Sequence, residues 1–326
     1  SCSFCAFSKS TGAKKLRGAS YLLELEEIQN RVREAIRRGA TEVCLQGGIH
    51  PKFDGNYYLD VIKAIRKVSP DIHIHAFSPL EILQGAHTLG LTLEEYLPIL
   101  KEAGLNSLPG TAAEILHDDV RDIICPDKLN TAEWLSVMDA AHSCGLNSTA
   151  TIMFGHVETY EHIAEHLINI KNQQIKSGGF TEFVPLPFVA HEAPMSLRGQ
   201  SRSGPTFREA ILMHSISRIF FQEHIPNIQG SWVKMGYEGL RKLLSSGIND
   251  VGGILMDETI TRSAGANHGQ ELDLGKIQLL TEELNLKLVR RNTNYETISS
   301  SKRSNLINQN EIPMKSINDF NNEARI

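Results

Sequence analysis

Strand-like and helix-like segments alternate along nearly the whole chain, and the strands keep one polar face. Leu25, Ile28, Val32, Ala35 and Ile36 recur at spacings of three and four, an amphipathic helix stopped at Gly39. A strand over 41–46 follows and closes on Gly47-Gly48. Helix 57–67 leads to strand 71–77, helix 93–103 to strand 105–109, and helix 132–144 to strand 147–154. Helix 158–176 precedes strand 181–187, helix 207–223 precedes 227–233, and helix 237–245 precedes 249–255. Seven strands in regular alternation with helices imply parallel pairing.

Within 147–154, Asn147, Thr149, Thr151 and Met153 fall on one face, and Ser148, Ala150, Ile152 and Phe154 on the other. Glu42/Cys44/Gln46, His73/His75 and Asn227/Gln229/Ser231 repeat the polar side. A sheet covered by helices on both faces reads instead as near-continuous apolar runs. The recurrent polar face therefore predicts an α/β fold of βα-barrel type, its lumen lined for a ligand and its chemistry at the C-terminal strand ends. Seven strands is one short of eight, and the chain opens inside a Cys-bearing loop, so a first strand is expected upstream, missing from this chain. The barrel domain is expected over 1–295. The segment 296–326, with six Asn, five Ser and little apolar period, is expected to be a disordered tail.

Composition narrows the function classes. Lys plus Arg number 33 against 38 Asp plus Glu, a net charge of −5, which gives no basic footprint for nucleic acid. No run of about 18 apolar residues offers a membrane span. Five cysteines and no secretory pattern argue for a reducing cytoplasm and against a disulfide framework. Cys44, Cys125 and Cys144 read as small core or loop residues. Cys2 and Cys5 differ, because C-x-x-C can serve as a redox pair, half a zinc site or part of an iron–sulfur site. His162 and His166, four apart on a helix, read as a solvated face.

The stretch Cys2-Ser3-Phe4-Cys5-Ala6-Phe7 ahead of a βα barrel resembles the signature of radical S-adenosylmethionine (SAM) enzymes. The resemblance narrows with Gln46-Gly47-Gly48-Ile49-His50-Pro51, Asp71-Ile72-His73-Ile74-His75-Ala76-Phe77-Ser78-Pro79 and Leu108-Pro109-Gly110-Thr111-Ala112-Ala113-Glu114. Thr151-Ile152-Met153-Phe154-Gly155-His156-Val157-Glu158-Thr159, Gly179–Pro187 and Ser263-Ala264-Gly265-Ala266-Asn267-His268-Gly269 continue it. Together they are similar to the second subunit of FO synthase, a tyrosine 4-hydroxyphenyl transferase family of deazaflavin (coenzyme F420 precursor) biosynthesis. The resemblance spans residues 1 to 295.

This resemblance implies a 4Fe–4S cluster and SAM as cofactors. Cys2 and Cys5 would be cluster ligands, with Phe4 near the SAM adenine and Gly47-Gly48 the turn that meets the SAM amino group. Glu158 would lie where the adenosine is supported. One electron passed to the sulfonium would release methionine and a 5′-deoxyadenosyl radical, which takes a hydrogen from L-tyrosine. Fragmentation to 2-iminoacetate would leave a 4-hydroxybenzyl radical, captured at C5 of 5-amino-6-(D-ribitylamino)uracil. The functional partner would be the first FO synthase subunit, which closes the deazaflavin ring. The family's first cluster Cys lies four residues before Cys2, so the chain as written carries two of three thiolates and is expected to be inactive by itself.

Substrate contacts are expected from His50, His75, Glu114 and Thr151, within a polar lumen set of Gln46, His75, Asn147, Thr149, Thr151 and Gln229. Two alternatives stand beside the transferase. One is an aminofutalosine synthase-like radical SAM enzyme of menaquinone biosynthesis. The other is a metal-dependent amidohydrolase, since His73 and His75 on one strand face can chelate a divalent cation. Arg198, Arg202 and Arg208 read as solvated loop charges.

Overall fold

A computed structural model describes residues 3–5, 22–50, 52–254, 261, 264–266, 268 and 271–298. Cys2 and the tail from 299 onward lie outside the described residues. In chain order the elements are α1 (Leu25–Arg37), β1 (Glu42–Leu45), α2 (Gly55–Val68), β2 (His73–Ala76), α3 (Pro79–Leu89), α4 (Leu93–Ala103) and β3 (Ser107–Leu108). Then come α5 (Asp118–Ile124), α6 (Thr131–Ser143), β4 (Asn147–Phe154), α7 (Tyr160–Ser177), β5 (Phe180–Pro187), α8 (Pro194–Leu197), α9 (Phe207–Phe221), α10 (Trp232–Leu244) and α11 (Leu274–Glu283).

All five strands are parallel, in the order β1-β2-β3-β4-β5. Single parallel bridges, Phe183 to Ile228 and Gln229 to Asp250, add two more strand positions beyond β5. The seven predicted strand sites are thus found, although the last two make one bridge each rather than full ladders. Among the described residues no ladder joins 249–251 to β1, so the sheet stays open there. Helix α10 starts at Trp232, inside the strand predicted over 227–233, and Gly236 at φ 67° kinks it. Helix α3 falls in a stretch with no predicted helix. Ser78 caps it, with Pro79 in its first turn and Glu81 bonding back to the Ser78 N–H.

The strand parity holds. Ala150, Ile152 and Phe154 face the helices with Trp134, Met138 and Phe183 in one buried cluster, and Ile72, Ile74 and Ala76 join Ile62, Ile65 and Leu97 in a second. The other face is the lumen, and its floor is closed by the chain's own residues 290–298. Thr293 donates from N–H and Oγ1 to Glu42, Asn147 Nδ2 donates to Asn294 Oδ1 at 3.2 Å, and Arg290 reaches the Gly39 carbonyl. Arg291 meets Asp250 at 2.5 Å and Glu182 at 2.8 Å, its guanidinium 4.1 Å over the Tyr295 ring. These contacts lie at the starts of β1, β4 and β5 and at the 249–251 position, the N-terminal end of the sheet. The plug runs on through Ile298, whose N–H donates to the Arg290 carbonyl at 3.0 Å.

His166 corrects the solvated-face reading. It is wholly buried, and its Nδ1 accepts the Leu116 N–H at 2.9 Å. Burial holds His75 and His166 down to about 3, and His73, His142 and His214 to about 4. In the unfolded chain these rings titrate near 6.5, so below that pH the unfolded state binds protons the folded state refuses. Stability therefore falls as pH drops from 6.5 towards 4. Glu81 and Glu182, pushed up to about 7 by burial, and Glu42, raised likewise, work oppositely, three carboxyls against six imidazoles once His156, also lowered by burial, is counted. Urea midpoints should be lower at pH 5 than at pH 7; equal midpoints would contradict neutral, buried imidazoles.

Candidate active site at the C-terminal strand ends

The Cys-bearing segment is pinned where β3 and β5 deliver their loops. Ser3 N–H donates to the Ile124 carbonyl at 3.1 Å, and the Ser3 carbonyl accepts the Met195 N–H at 2.9 Å. Phe4 packs on the core, with the Lys128 ammonium 5.0 Å from its ring centroid. Cys5 is half-buried. Lys128 also reaches Glu114 Oε1 at 3.1 Å. Glu114 and Ala112, after β3, and Phe77, after β2, hold positive φ of 45°, 62° and 56°. Such backbone costs about 1–3 kcal/mol per residue and gathers at ligand sites.

After β1 the turn Gln46–Ile49 is exposed. The Gly47 N–H points inward to Glu81 Oε1 at 3.0 Å. At Gly48 a Cβ would meet nothing within 4 Å, so that backbone is open to approach. Glu81 itself is 3% exposed and lies within the field of Lys128. The structure thus brings Phe4, Glu114 and Gly47 into one neighbourhood through Lys128 and Glu81, two residues the sequence reading did not single out.

Glu158 shapes the turn after β4. Its carboxylate accepts the N–H groups of Gly155 and, at 2.9 Å, His156. Gly155 sits at φ 97°, and a Cβ there would lie 2.2 Å from Pro205. Buried His156 donates through Nε2 to the Met153 carbonyl at 2.9 Å. Burial lowers its pKa against the pull of Glu158, so the ring is neutral.

The lumen set divides. Thr149 Oγ1 accepts the Gly110 N–H at 2.8 Å and Thr151 Oγ1 donates to the Gly110 carbonyl at 2.6 Å, clamping the β3 exit. A Cβ on Gly110 would lie 2.3 Å from the Thr149 carbonyl oxygen, which is backbone and cannot step aside. Gly110→Ala should cost about 1–3 kcal/mol or more, read as a lowered urea midpoint; an unchanged midpoint would contradict the clamp. Asn147 and Gln229 are engaged at the floor, the latter donating to Glu182 Oε1 at 3.0 Å. His73 Nε2 and His75 Nδ1 both meet Ser107 Oγ at 2.7 Å, so the hydroxyl is shared between the two rings. His50 stands apart, half-buried after the glycine turn, its ring tilted 39° to that of Phe53 at 4.9 Å. Arg202 pairs with Glu209 at 2.5 Å on the surface, in keeping with a solvated charge. His117, Asp119 and His162 bring ligand-type atoms within 4.8 Å of one another at the outer ends of α5 and α7. The positive ends of those helix dipoles oppose a cation there.

The family model for the radical SAM superfamily matches residues 1–168, and one for the CofH/MqnC C-terminal region matches 177–304. A 5-amino-6-(D-ribitylamino)uracil–L-tyrosine 4-hydroxyphenyl transferase of Methanothermobacter thermautotrophicus is 46% identical over 297 residues, 91% of this chain and 80% of that protein. An FO synthase of Streptomyces coelicolor is 46% identical over 268 residues, 82% of this chain but 30% of that longer protein. Among solved structures, methylornithine synthase superposes with a TM-score of 0.65 at 18% identity, covering 89% of this chain and 79% of that one. That likeness speaks to the fold alone.

Proposed function

We propose the reaction of this chain from its family: it belongs to the radical SAM superfamily and, within it, to the 5-amino-6-(D-ribitylamino)uracil–L-tyrosine 4-hydroxyphenyl transferases. The chain is a radical SAM transferase that moves the 4-hydroxybenzyl group of L-tyrosine to 5-amino-6-(D-ribitylamino)uracil. The observation that carries the site is the docking of the Ser3–Cys5 segment at the C-terminal strand ends, the same end of the sheet as the exposed glycine turn after β1. The residues present fit the cofactors to that extent. Cys2 and Cys5 would be thiolate ligands of the cluster, and the 46–48 turn would take the SAM amino group. When bound, the cluster and SAM supply the one-electron chemistry that removes a hydrogen atom from tyrosine.

The chain's own groups bind and orient. The face of Phe4 offers a stacking surface for adenine. Glu114, its carboxylate held by Lys128, can receive the tyrosine ammonium. His75, neutral and held by Ser107, offers polar recognition to the ribityl-uracil. The plug at 290–298 keeps bulk water from entering by the floor, which matters to any carbon-radical step. Thiolate ligands suit a reducing compartment, and we read the chain as cytoplasmic; none of the described helices is long and apolar enough to cross a membrane. The product would pass to a second activity that closes the deazaflavin ring.

The full-length protein, reconstituted anaerobically with iron and sulfide and given SAM, dithionite and L-tyrosine, tests this directly. A hydroxybenzyl adduct that requires both tyrosine and the ribitylaminouracil is the expected result. SAM cleavage without any adduct would instead place the chain with the menaquinone-pathway relatives.

A further inference from the structure

Several helices here open on a capping box, and one differs from the rest. The Thr92–Glu95, Asn130–Glu133 and Thr206–Glu209 boxes are exposed. Glu81 is buried, and it accepts from a residue 34 positions away. Its Oε2 accepts Ser78 N–H and Ser78 Oγ–H, each at 2.8 Å, while Oε1 accepts the Gly47 N–H at 3.0 Å. One carboxylate thus ties the loop after β2 to the glycine turn after β1. A buried carboxylate is costly unless several donors meet it, and the desolvation here raises its pKa to about 7. A local helix cap does not require that cost, because the exposed boxes cap equally well.

The tie sets the direction of the turn. The Gln46–Gly47 peptide is planar and trans, so its carbonyl points opposite to its N–H. With the N–H held on Glu81, the Gln46 carbonyl faces away from α3. A Cβ at Gly47 would lie 3.2 Å from Glu81 Oε1, tight enough that the carboxylate would have to shift by a few tenths of an ångström. Phe77, next to Ser78, holds its positive φ at the same junction.

We propose that Glu81 is the positioning residue of the cofactor turn, fixing the Gly47 N–H inward so that the Gln46 carbonyl is presented to the ammonium group of a bound amino-acid-type ligand. This rests on the reading of 46–48 as the SAM turn, and the test separates the two. Glu81→Ala and Glu81→Gln are made in the full-length protein, with Ser78→Ala as the control that loses the local cap hydroxyl and keeps the Gly47 contact.

Hydrogen exchange of the peptide spanning 46–50, measured without SAM, should speed up by about tenfold in Glu81→Ala. It should change less in Glu81→Gln, whose amide oxygen can still accept, and little in Ser78→Ala. The KM for SAM should rise by about tenfold in Glu81→Ala with a smaller change in kcat, and Glu81→Gln should recover part of it. If wild-type protein binds SAM and folded Glu81→Ala matches it in KM and exchange, the proposal is wrong and the turn reading survives. Faster exchange with an unchanged KM would show that the tie exists without serving the cofactor, which also overturns the proposal. Wild type that binds no SAM would remove the turn reading and the proposal with it. Should Glu81→Ala fail to fold, Glu81→Gln carries the comparison with a smaller expected rise in both exchange and KM, and a Glu81→Gln equal to wild type in both overturns the proposal.

Discussion

Cys5→Ala in the full-length protein is expected to fold with near wild-type stability and to make no hydroxybenzyl adduct. The segment keeps its anchors in the variant, because the Ser3 backbone holds it to Ile124 and Met195 and the Phe4 ring packs on the core. Truncating a half-buried side chain there costs the fold little. A cluster that leaves one iron free to bind SAM takes three thiolates, so losing one removes bound iron as well as turnover. Cys144→Ala is the matching control. That thiol ends α6 at the opposite end of β4, donating to the Ala141 carbonyl at 3.2 Å, and its loss should leave adduct formation intact. Melting curves, iron content and mass spectrometry of the adduct read the three properties separately. Adduct formation by Cys5→Ala would remove the cysteine segment from the reaction.

Arg291→Ala should produce the largest stability loss of any single substitution outside the hydrophobic core. The guanidinium lies between Asp250 at 2.5 Å and Glu182 at 2.8 Å, two carboxylates that are 9% and 4% exposed. Tyr295 stacks beneath it and donates to the same Glu182 oxygen at 2.5 Å. Removing the cation leaves two buried acids with hydrogen-bond donors but no counter-charge, which costs about 3–5 kcal/mol. For a chain of this size that lowers Tm by roughly 5–10 °C.

The pH dependence has a definite sign. Burial already pushes Glu182 up to about 7 with Arg291 present. Without Arg291, Glu182 can escape the penalty by protonation. The variant's deficit should therefore be larger at pH 8 than at pH 5.5. A variant that melts with wild type at both values would show that 290–298 does not bind the barrel floor.

Where local signals agreed, the fold was legible. Leu93–Ala103 matches its predicted span because Thr92 caps it and Gly104, at φ 117°, stops it. Strand β4 matches both span and parity because Asn147–Phe154 alternates without interruption. Helix α3 was missed although Ser78-Pro79-Leu80-Glu81 carries a capping box with Pro in its first turn. The signal lies at the end of the Asp71–Pro79 stretch, where a strand pattern runs directly into it. His162 and His166 share a helix face by spacing, yet only His166 lies under Leu116, while His162 sits in the first turn of α7.

The polar lumen was read correctly as a face and too simply as a site. Its lower residues bind the chain's own 290–298 segment, and Glu42 to Thr293 is a contact across 251 positions that no local pattern encodes. At the mouth, the glycines and the cysteine segment were visible as motifs. Glu81 and Lys128 were not, because each acts only through residues that the fold brings to it.

The central claim is that this chain cuts the Cα–Cβ bond of tyrosine and attaches the benzylic carbon to the uracil ring. Isotope tracing with the anaerobically reconstituted full-length protein tests it most directly, using L-tyrosine labelled with carbon-13 at Cβ in one reaction and at Cα in another. The account predicts that the Cβ label appears in the uracil adduct and the Cα label in 2-iminoacetate or its hydrolysis product. Cα label retained in the uracil adduct, or Cβ label leaving with the two-carbon fragment, would contradict it.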